Sequence, residues 1–356
     1  MTEEVGSSSD SRPSPSEPES PESPLPAGDP ARPEPTPPPA PRPPRRPTLR
    51  GEPPGPIGRE DSLAVAGRKA MRLHVQRLLE LDAALRDPAV EHDLRRYRVA
   101  TRRLRAALRA FRDAFQRHEV NDLRDRLAEL ATTAGAARDL DVRIGDATHW
   151  AIERIPDASE AIAPLLDAWA RERAAAAKRL DGHLTTRKHE RLLADLVAFV
   201  ESEDRATGAA ADRPVGLHAA SMLFDGYERL MARDRVIRWA DVATLHGVRI
   251  EAKRLRYLLE FLGEVLGPER ADLVARLVGV QDHLGALQDA AVTADAVRAF
   301  LQSSGPLTSG ERATIASYLL DREREVGRLR RGVGRPWRAV SGVTFSRRLA
   351  RTVVAR

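Results

Sequence analysis

Between residues 61 and 331, apolar side chains return every three or four positions, the spacing of helices buried along one side. The pattern is interrupted at Asp87-Pro88, around Arg117, near Ile155-Pro156, across residues 201–214, at Gly267-Pro268 and across residues 303–310. Asp87 with Pro88 reads as a helix start, since an Asp side chain accepts from free N–H groups of the first turn and Pro there forfeits no hydrogen bond. On the helix that follows, Leu94, Tyr97, Thr101, Leu104, Leu108, Phe111 and Phe115 share one face and are predicted to be buried. Leu245, Val248, Ala252, Leu255 and Leu259 form a second such stripe. The expected fold class is all-α.

Composition sharpens this at the ends. Residues 1–60 are rich in Pro, Ser and Glu, with hardly a large apolar side chain, and read as a disordered or partly polyproline II tail. Residues 61–336 form the expected domain, with a first half over 61–200, a linker over 201–214 and a second half over 215–336; residues 337–356 read as a basic C-terminal tail. The chain has no cysteine, which excludes disulfides, thiolate metal sites and cysteine nucleophiles. It has no secretory leader and no apolar run of membrane-spanning length, so a cytoplasmic location without a membrane partner is expected. Nothing in the sequence sets an oligomeric state.

The two halves repeat each other. Asp122, Leu123, Arg126, Leu127, Gly135, Asp139 and Val142 recur, at a constant offset of 150, as Asp272, Leu273, Arg276, Leu277, Gly285, Asp289 and Val292. Just upstream, residues 99–108 (VATRRLRAAL) match residues 250–259 (IEAKRLRYLL) at an offset of 151. Agreement of this density in matching order points to an internal duplication, giving two pseudo-symmetric halves of about four helices each.

Charge then marks one face of each copy. The net charge is +6, and the cations are almost all Arg, whose planar fork suits phosphate oxygens. One position along from the first apolar stripe run Arg95, Arg98, Arg102, Arg105, Arg109 and Arg112, a row of guanidiniums over a rise of about 26 Å. Like charges at this spacing weaken a helix unless a counter-charge is supplied. A single such row is as well explained by a solvated face. The second copy carries His246, Arg249, Lys253 and Arg256 at the same spacing, and a polyanion lying across both faces explains the pair better.

These residues resemble a known family. His246-x-x-Arg249-x-x-x-Lys253-Arg254-Leu255-Arg256 is similar to the signature of the CHAD domain, the conserved-histidine α-helical domain, and residues 99–105 are similar to its first copy. The stretch Gly135-x-x-Arg138-Asp139-x-Asp141-Val142 extends the likeness, which covers roughly residues 61–334. The resemblance implies a stand-alone helical bundle whose halves enclose a basic cavity that binds inorganic polyphosphate, with association with polyphosphate granules as one consequence. Arg68, Arg72, His92, Arg95, Arg98, Arg102, Arg105, Arg109, His246, Arg249, Lys253, Arg254 and Arg256 are the expected binding residues. Aligned from the Arg-Leu-Arg end, the first-copy histidine position holds Arg95; aligned from the Asp87 cap, it is His92. The helix over residues 217–233 carries fewer cations than residues 68–77, so the first half is expected to contribute more of the binding.

Two other functions have partial support in the sequence. Nucleic acid offers the same phosphates, but the arginine faces lack the aromatics on which single strands stack. Asp139, Asp141, Asp282 and Asp289 suggest a metal-dependent phosphohydrolase, yet acids one helix away from an arginine row more often orient the guanidiniums. His92-Asp93 alone is weak evidence for a histidine-aspartate hydrolase, and no P-loop, GxSxG or dinucleotide glycine pattern occurs. A binding protein without a catalytic residue, metal or cofactor is the expectation.

Overall fold

The computed structural model describes residues 47–86, 93–154 and 158–354, and everything below concerns these. They form twelve helices and no strand: α1 Leu63–Leu85, α2 Leu94–Ala110, α3 Arg117–Arg154, α4 Ala158–Ala161, α5 Ala163–Leu184, α6 Arg187–Glu201, α7 Val215–Met231, α8 Val242–Phe261, α9 Arg270–Ser303, α10 Ser309–Gly332, α11 Gly334–Ser341 and α12 Val343–Val354. The starts follow local chemistry. Ser62, Asp93, Thr186 and Asp241 each accept a backbone N–H of the first turn, and Thr308 with Glu311 forms a reciprocal capping box. The start of α2 differs from the sequence reading: the helix opens at Leu94 with Asp93 as its cap, while Asp87, Pro88 and His92 lie outside the described residues.

The apolar stripes lie where the period places them. Tyr97, Thr101, Leu104, Leu108, Phe111 and Phe115 are buried, as are Leu245, Val248, Ala252, Leu255 and Leu259. Leu94, at the helix start, is only partly covered. The helices pack in parallel order in the two halves: α1 on α2 and α2 on α3, then α7 on α8 and α8 on α9. α2 also meets α8, which brings the two basic helices together. A second apolar cluster joins α3, α5, α9 and α10 through Trp150, Trp169, Val297, Ile315 and Tyr318. Asp82 is buried on α1, where it meets His189 Nε2 of α6 at 2.6 Å, Arg86 Nε at 3.0 Å and the Tyr97 hydroxyl of α2 at 3.4 Å. A buried carboxylate is tolerated because its lone pairs are taken up in this way.

Two expectations about the chain's ends need correction. Residues 1–46 lie outside the described residues, but residues 47–60 are packed rather than tail-like: Ile57 is buried, Leu49 packs on the core, and Arg59 donates to the carbonyl of Val265 at 3.0 Å. The linker is also held down. Gly208 and Ala210 donate to the carbonyls of Ala114 and Asp113, both at 3.2 Å, and Leu63 donates to Arg213 at 2.8 Å. Finally, residues 337–354 are not a tail. Trp337, Val340, Phe345 and Leu349 enter the main core, and Arg348 Nη1 reaches Asp272 at 2.7 Å. The arginines there obscured a short-helix amphipathic period whose apolar side had a core to cover.

Candidate functional site

Where α2 and α8 meet, they and the long helices α3 and α9 enclose a cavity of about 530 Å3. Arg95, Arg98 and Arg102 enter it from α2, His246, Arg249 and Lys253 from α8, and Arg138 and Arg143 from α3. Two carboxylates, Asp139 and Asp289, stand among these cations. Arg95, which matches His246 when the copies are aligned from the Arg-Leu-Arg end, also lines a neighbouring groove between α1 and α2.

The residues that recur between the halves have matched uses here. A Cβ on Gly135 of α3 would lie 3.6 Å from the Arg98 guanidinium, and one on Gly285 of α9 would lie 3.3 Å from that of Arg249. Each guanidinium lies against the long helix at its glycine, where an added Cβ would be in ordinary contact with Arg98 and slightly crowded by Arg249. One turn on, Asp139 accepts from Arg98 Nη1 at 2.8 Å, and Asp289 faces Arg249 electrostatically. Val142 and Val292, half-exposed, complete the lining from the same two helices. The glycine, aspartate and valine of the repeat are therefore the seat, the orienting acid and the wall of one site.

The cavity is short of counter-charge. Among the described residues, Arg95, Arg102, Arg143, Arg249 and Lys253 make no ion pair within 4 Å. Arg249 Nε, His246 Nδ1 and the Gln288 side-chain oxygen are buried without a hydrogen-bond partner. Burial, reinforced by Arg249, Arg102 and Arg256, lowers the Lys253 ammonium to about 7. Burial also raises the Asp289 carboxyl against the pull of Arg249, with the Asp139 charge adding to the rise. A cluster of cations that desolvates and repels itself is destabilising on its own and is relieved by an anion.

The other expected residues are elsewhere. Arg109 and Arg254 line a separate cavity of about 290 Å3 with Arg112 and Arg229, and Arg254 bonds to Glu251. Burial and the nearby Arg254 lower Arg109 to about 10. Arg105 is half-buried beside Arg124 and Asp125. Arg256 stacks on Tyr257 and meets Glu260 at 3.3 Å. Arg72 donates to the carbonyl of Arg50 and lies 3.8 Å from Glu201, and Arg68 is not among the cavity residues. The physical reason is twist: a three-four row drifts around a straight helix by about 20° every seven residues, so the later positions turn toward a second cavity, where Arg109 of α2 and Arg254 of α8 stand together. Arg112 lies beyond the end of α2 altogether. His92 lies outside the described residues. Arg143 was missed, although it stands one turn after Asp139 on the same face. Of the acids, Asp141 is engaged by Arg173 at 2.7 Å, and no group of three His, Asp or Glu among the described residues is placed to hold a metal ion.

The fold and site define an all-helical bundle with a cation-lined cavity at the contact of two sequence-related helices. The family model of the CHAD domain matches residues 69–298, and the chain belongs to that family. Two curated relatives from Mycobacterium tuberculosis, uncharacterized proteins of strains CDC 1551 and H37Rv, are each 28% identical over 276 residues. The alignment covers 72% of this chain and 49% of each relative, so the chain spans about half their length. Among solved structures, the CHAD domain of the plant Ricinus communis superposes with a TM-score of 0.62 at 23% identity, covering 78% of this chain and 94% of that one. PptA from Streptomyces chartreusis gives a TM-score of 0.61 at 20% identity, covering 78% and 100%. At these identities the likeness is one of fold. No helix among the described residues is long and apolar enough to cross a membrane.

Proposed function

We propose that the cavity between α2 and α8 binds inorganic polyphosphate and that the protein acts on it by binding, without a catalytic step. The observation that carries this reading is the surplus of unpaired cations from both helices around one cavity, with Asp139 and Asp289 the two carboxylates lining it. A flexible phosphate chain offers little but charge density to recognise, and forks held on rigid helices match that. Arg98 and Arg249, seated on glycines, are pre-aimed and lose little freedom on binding.

Filter binding of defined-length polyphosphate over a salt series tests the reading. Affinity is expected to fall steeply with salt, with a log-log slope of about 0.7 to 0.9 per phosphate neutralised. A flat salt response would overturn it. Incubation with magnesium or manganese is expected to release no phosphate; release that disappears in Asp139→Ala or Asp289→Ala would make the protein a hydrolase.

Lys253 adds a pH signature. Its lowered value, about 7, leaves the ammonium partly neutral near neutrality, and a bound polyanion favours the charged form. Binding should therefore take up protons, and affinity should fall as pH rises through 7. Lys253→Arg, charged throughout, is expected to bind at least as well at pH 8 and to lose most of this dependence. Isothermal titration in buffers of different ionisation heat reads the uptake directly; an unchanged proton count in the variant would refute the assignment.

A further inference from the structure

The turn between α7 and α8 presents an aromatic side chain that nothing in the cavity uses. Trp239 is 75% exposed, whereas Trp150, Trp169 and Trp337 are 6%, 2% and 3% exposed. Val236, one turn earlier, is 50% exposed. The exposure does not come from a loose loop. Ile237 and Ala240, which alternate with these residues, are buried. Arg330 of α10 donates through Nε to the Ala240 carbonyl at 3.1 Å and through Nη2 to the Trp239 carbonyl at 3.2 Å. Trp337 Nε1 of α11 donates to Asp234 at 2.6 Å, and Asp241 caps α8 by accepting from Thr244 N at 2.7 Å. The indole is thus displayed on a fixed platform, and both neighbouring carboxylates are already engaged.

Charge around it is one-sided. Arg233, Arg235 and Arg238 are exposed and make no ion pair among the described residues. Some surface arginines of the second half do find carboxylates, as Arg298 does with Asp295 and Glu323, both at 2.6 Å. Arg233 also connects the turn to the cavity: a Cβ on Gly247, next to cavity-lining His246, would meet the Arg233 guanidinium carbon at 3.8 Å. Unpaired cations therefore run from the indole to the head of the basic stripe.

We propose that this turn is a docking point for single-stranded nucleic acid, with a base stacked on Trp239 and the adjoining phosphates on Arg233, Arg235 and Arg238. Stacking on an aromatic face accepts any base, and guanidinium forks take the backbone between bases. A membrane surface fits less well, because an interfacial anchor lays down the apolar face of a helix, and this rigid turn offers Val236 and Trp239 alone. The proposal rests on the polyphosphate reading only in that the positive path continues into the cavity.

The intrinsic fluorescence of the full chain reports on the site, since Trp239 is the exposed one of the four tryptophans. Titration with oligothymidylate of about 12 nucleotides, a length within single-strand site sizes, is expected to quench the emission and to shield it from iodide. Trp239→Ala is expected to weaken oligonucleotide binding by about tenfold while leaving polyphosphate affinity unchanged. Trp239→Phe should restore most of the loss, because a phenyl ring still stacks. Arg235→Glu with Arg238→Glu should weaken oligonucleotide binding and flatten its salt dependence. Oligonucleotide binding without quenching, or equal binding by Trp239→Ala, would overturn the proposal and leave the polyphosphate reading intact. Quenching by oligonucleotide with no polyphosphate binding would sustain the proposal and sink the other reading. A spectral shift with anionic phosphatidylserine vesicles but none with oligonucleotide would make the turn a membrane contact and refute it.

Discussion

Reversing Arg102 and Lys253 together, as Arg102→Glu with Lys253→Glu, is expected to lower polyphosphate affinity at least about a hundredfold, since two charge-assisted contacts of roughly 1.5–3 kcal/mol each are lost and repulsion replaces them. The two side chains enter the same cavity from α2 and α8 and interact electrostatically with each other, so one bound anion is expected to contact both. Electrophoretic retardation with defined-length polyphosphate measures the effect. Helical circular dichroism checks that the variant is folded, which is expected because the new carboxylates stand among Arg95, Arg98, Arg143 and Arg249. Arg72→Gln is the matched comparison: its guanidinium is occupied by the Arg50 carbonyl and Glu201, and its removal should change affinity by less than about threefold. If the double variant binds like the parent, the cavity is not the site.

The second large effect is on stability. Gly208 in the segment between α6 and α7 has no room for a side chain: a Cβ would lie 2.3 Å from the Asp113 carbonyl oxygen and 2.6 Å from both the Ala114 carbonyl carbon and the Phe115 nitrogen. All three are backbone atoms, so relief requires moving the chain and gives up the hydrogen bonds from Gly208 and Ala210. Gly208→Ala is expected to cost about 3 kcal/mol and to lower the Tm by several degrees. Gly145→Ala, in the open on α3, should instead raise stability by up to about 1 kcal/mol, because Ala is the better helix former. Thermal unfolding followed at the helical band compares the two. Equal Tm values for both variants would show that the 202–214 segment is not packed as described.

Much of the site was legible because it was written twice. Arg98 and Arg249, Gly135 and Gly285, Asp139 and Asp289 stand at matched positions, and each pair has matched surroundings. Arg105 and Arg109 carried an equally regular spacing, yet Arg105 stands beside Arg124 and Arg109 enters the second cavity with Arg254, because spacing along one helix does not say what packs beside each turn. Arg143 had no counterpart among the repeated residues to draw notice. The C-terminal arginines obscured the apolar sides of α11 and α12, and Trp239 was passed over because its exposure has no signature in sequence.

Local period and residue chemistry were enough to set the helical class, the buried stripes, the recurring glycine and acid, and the sign of the charge. Tertiary structure alone decided which cations share a cavity, which are consumed by carboxylates, and which ends of the chain belong to the core. Those outcomes depend on where helices distant in sequence meet, and burial, desolvation and pairing are properties of that meeting rather than of either helix.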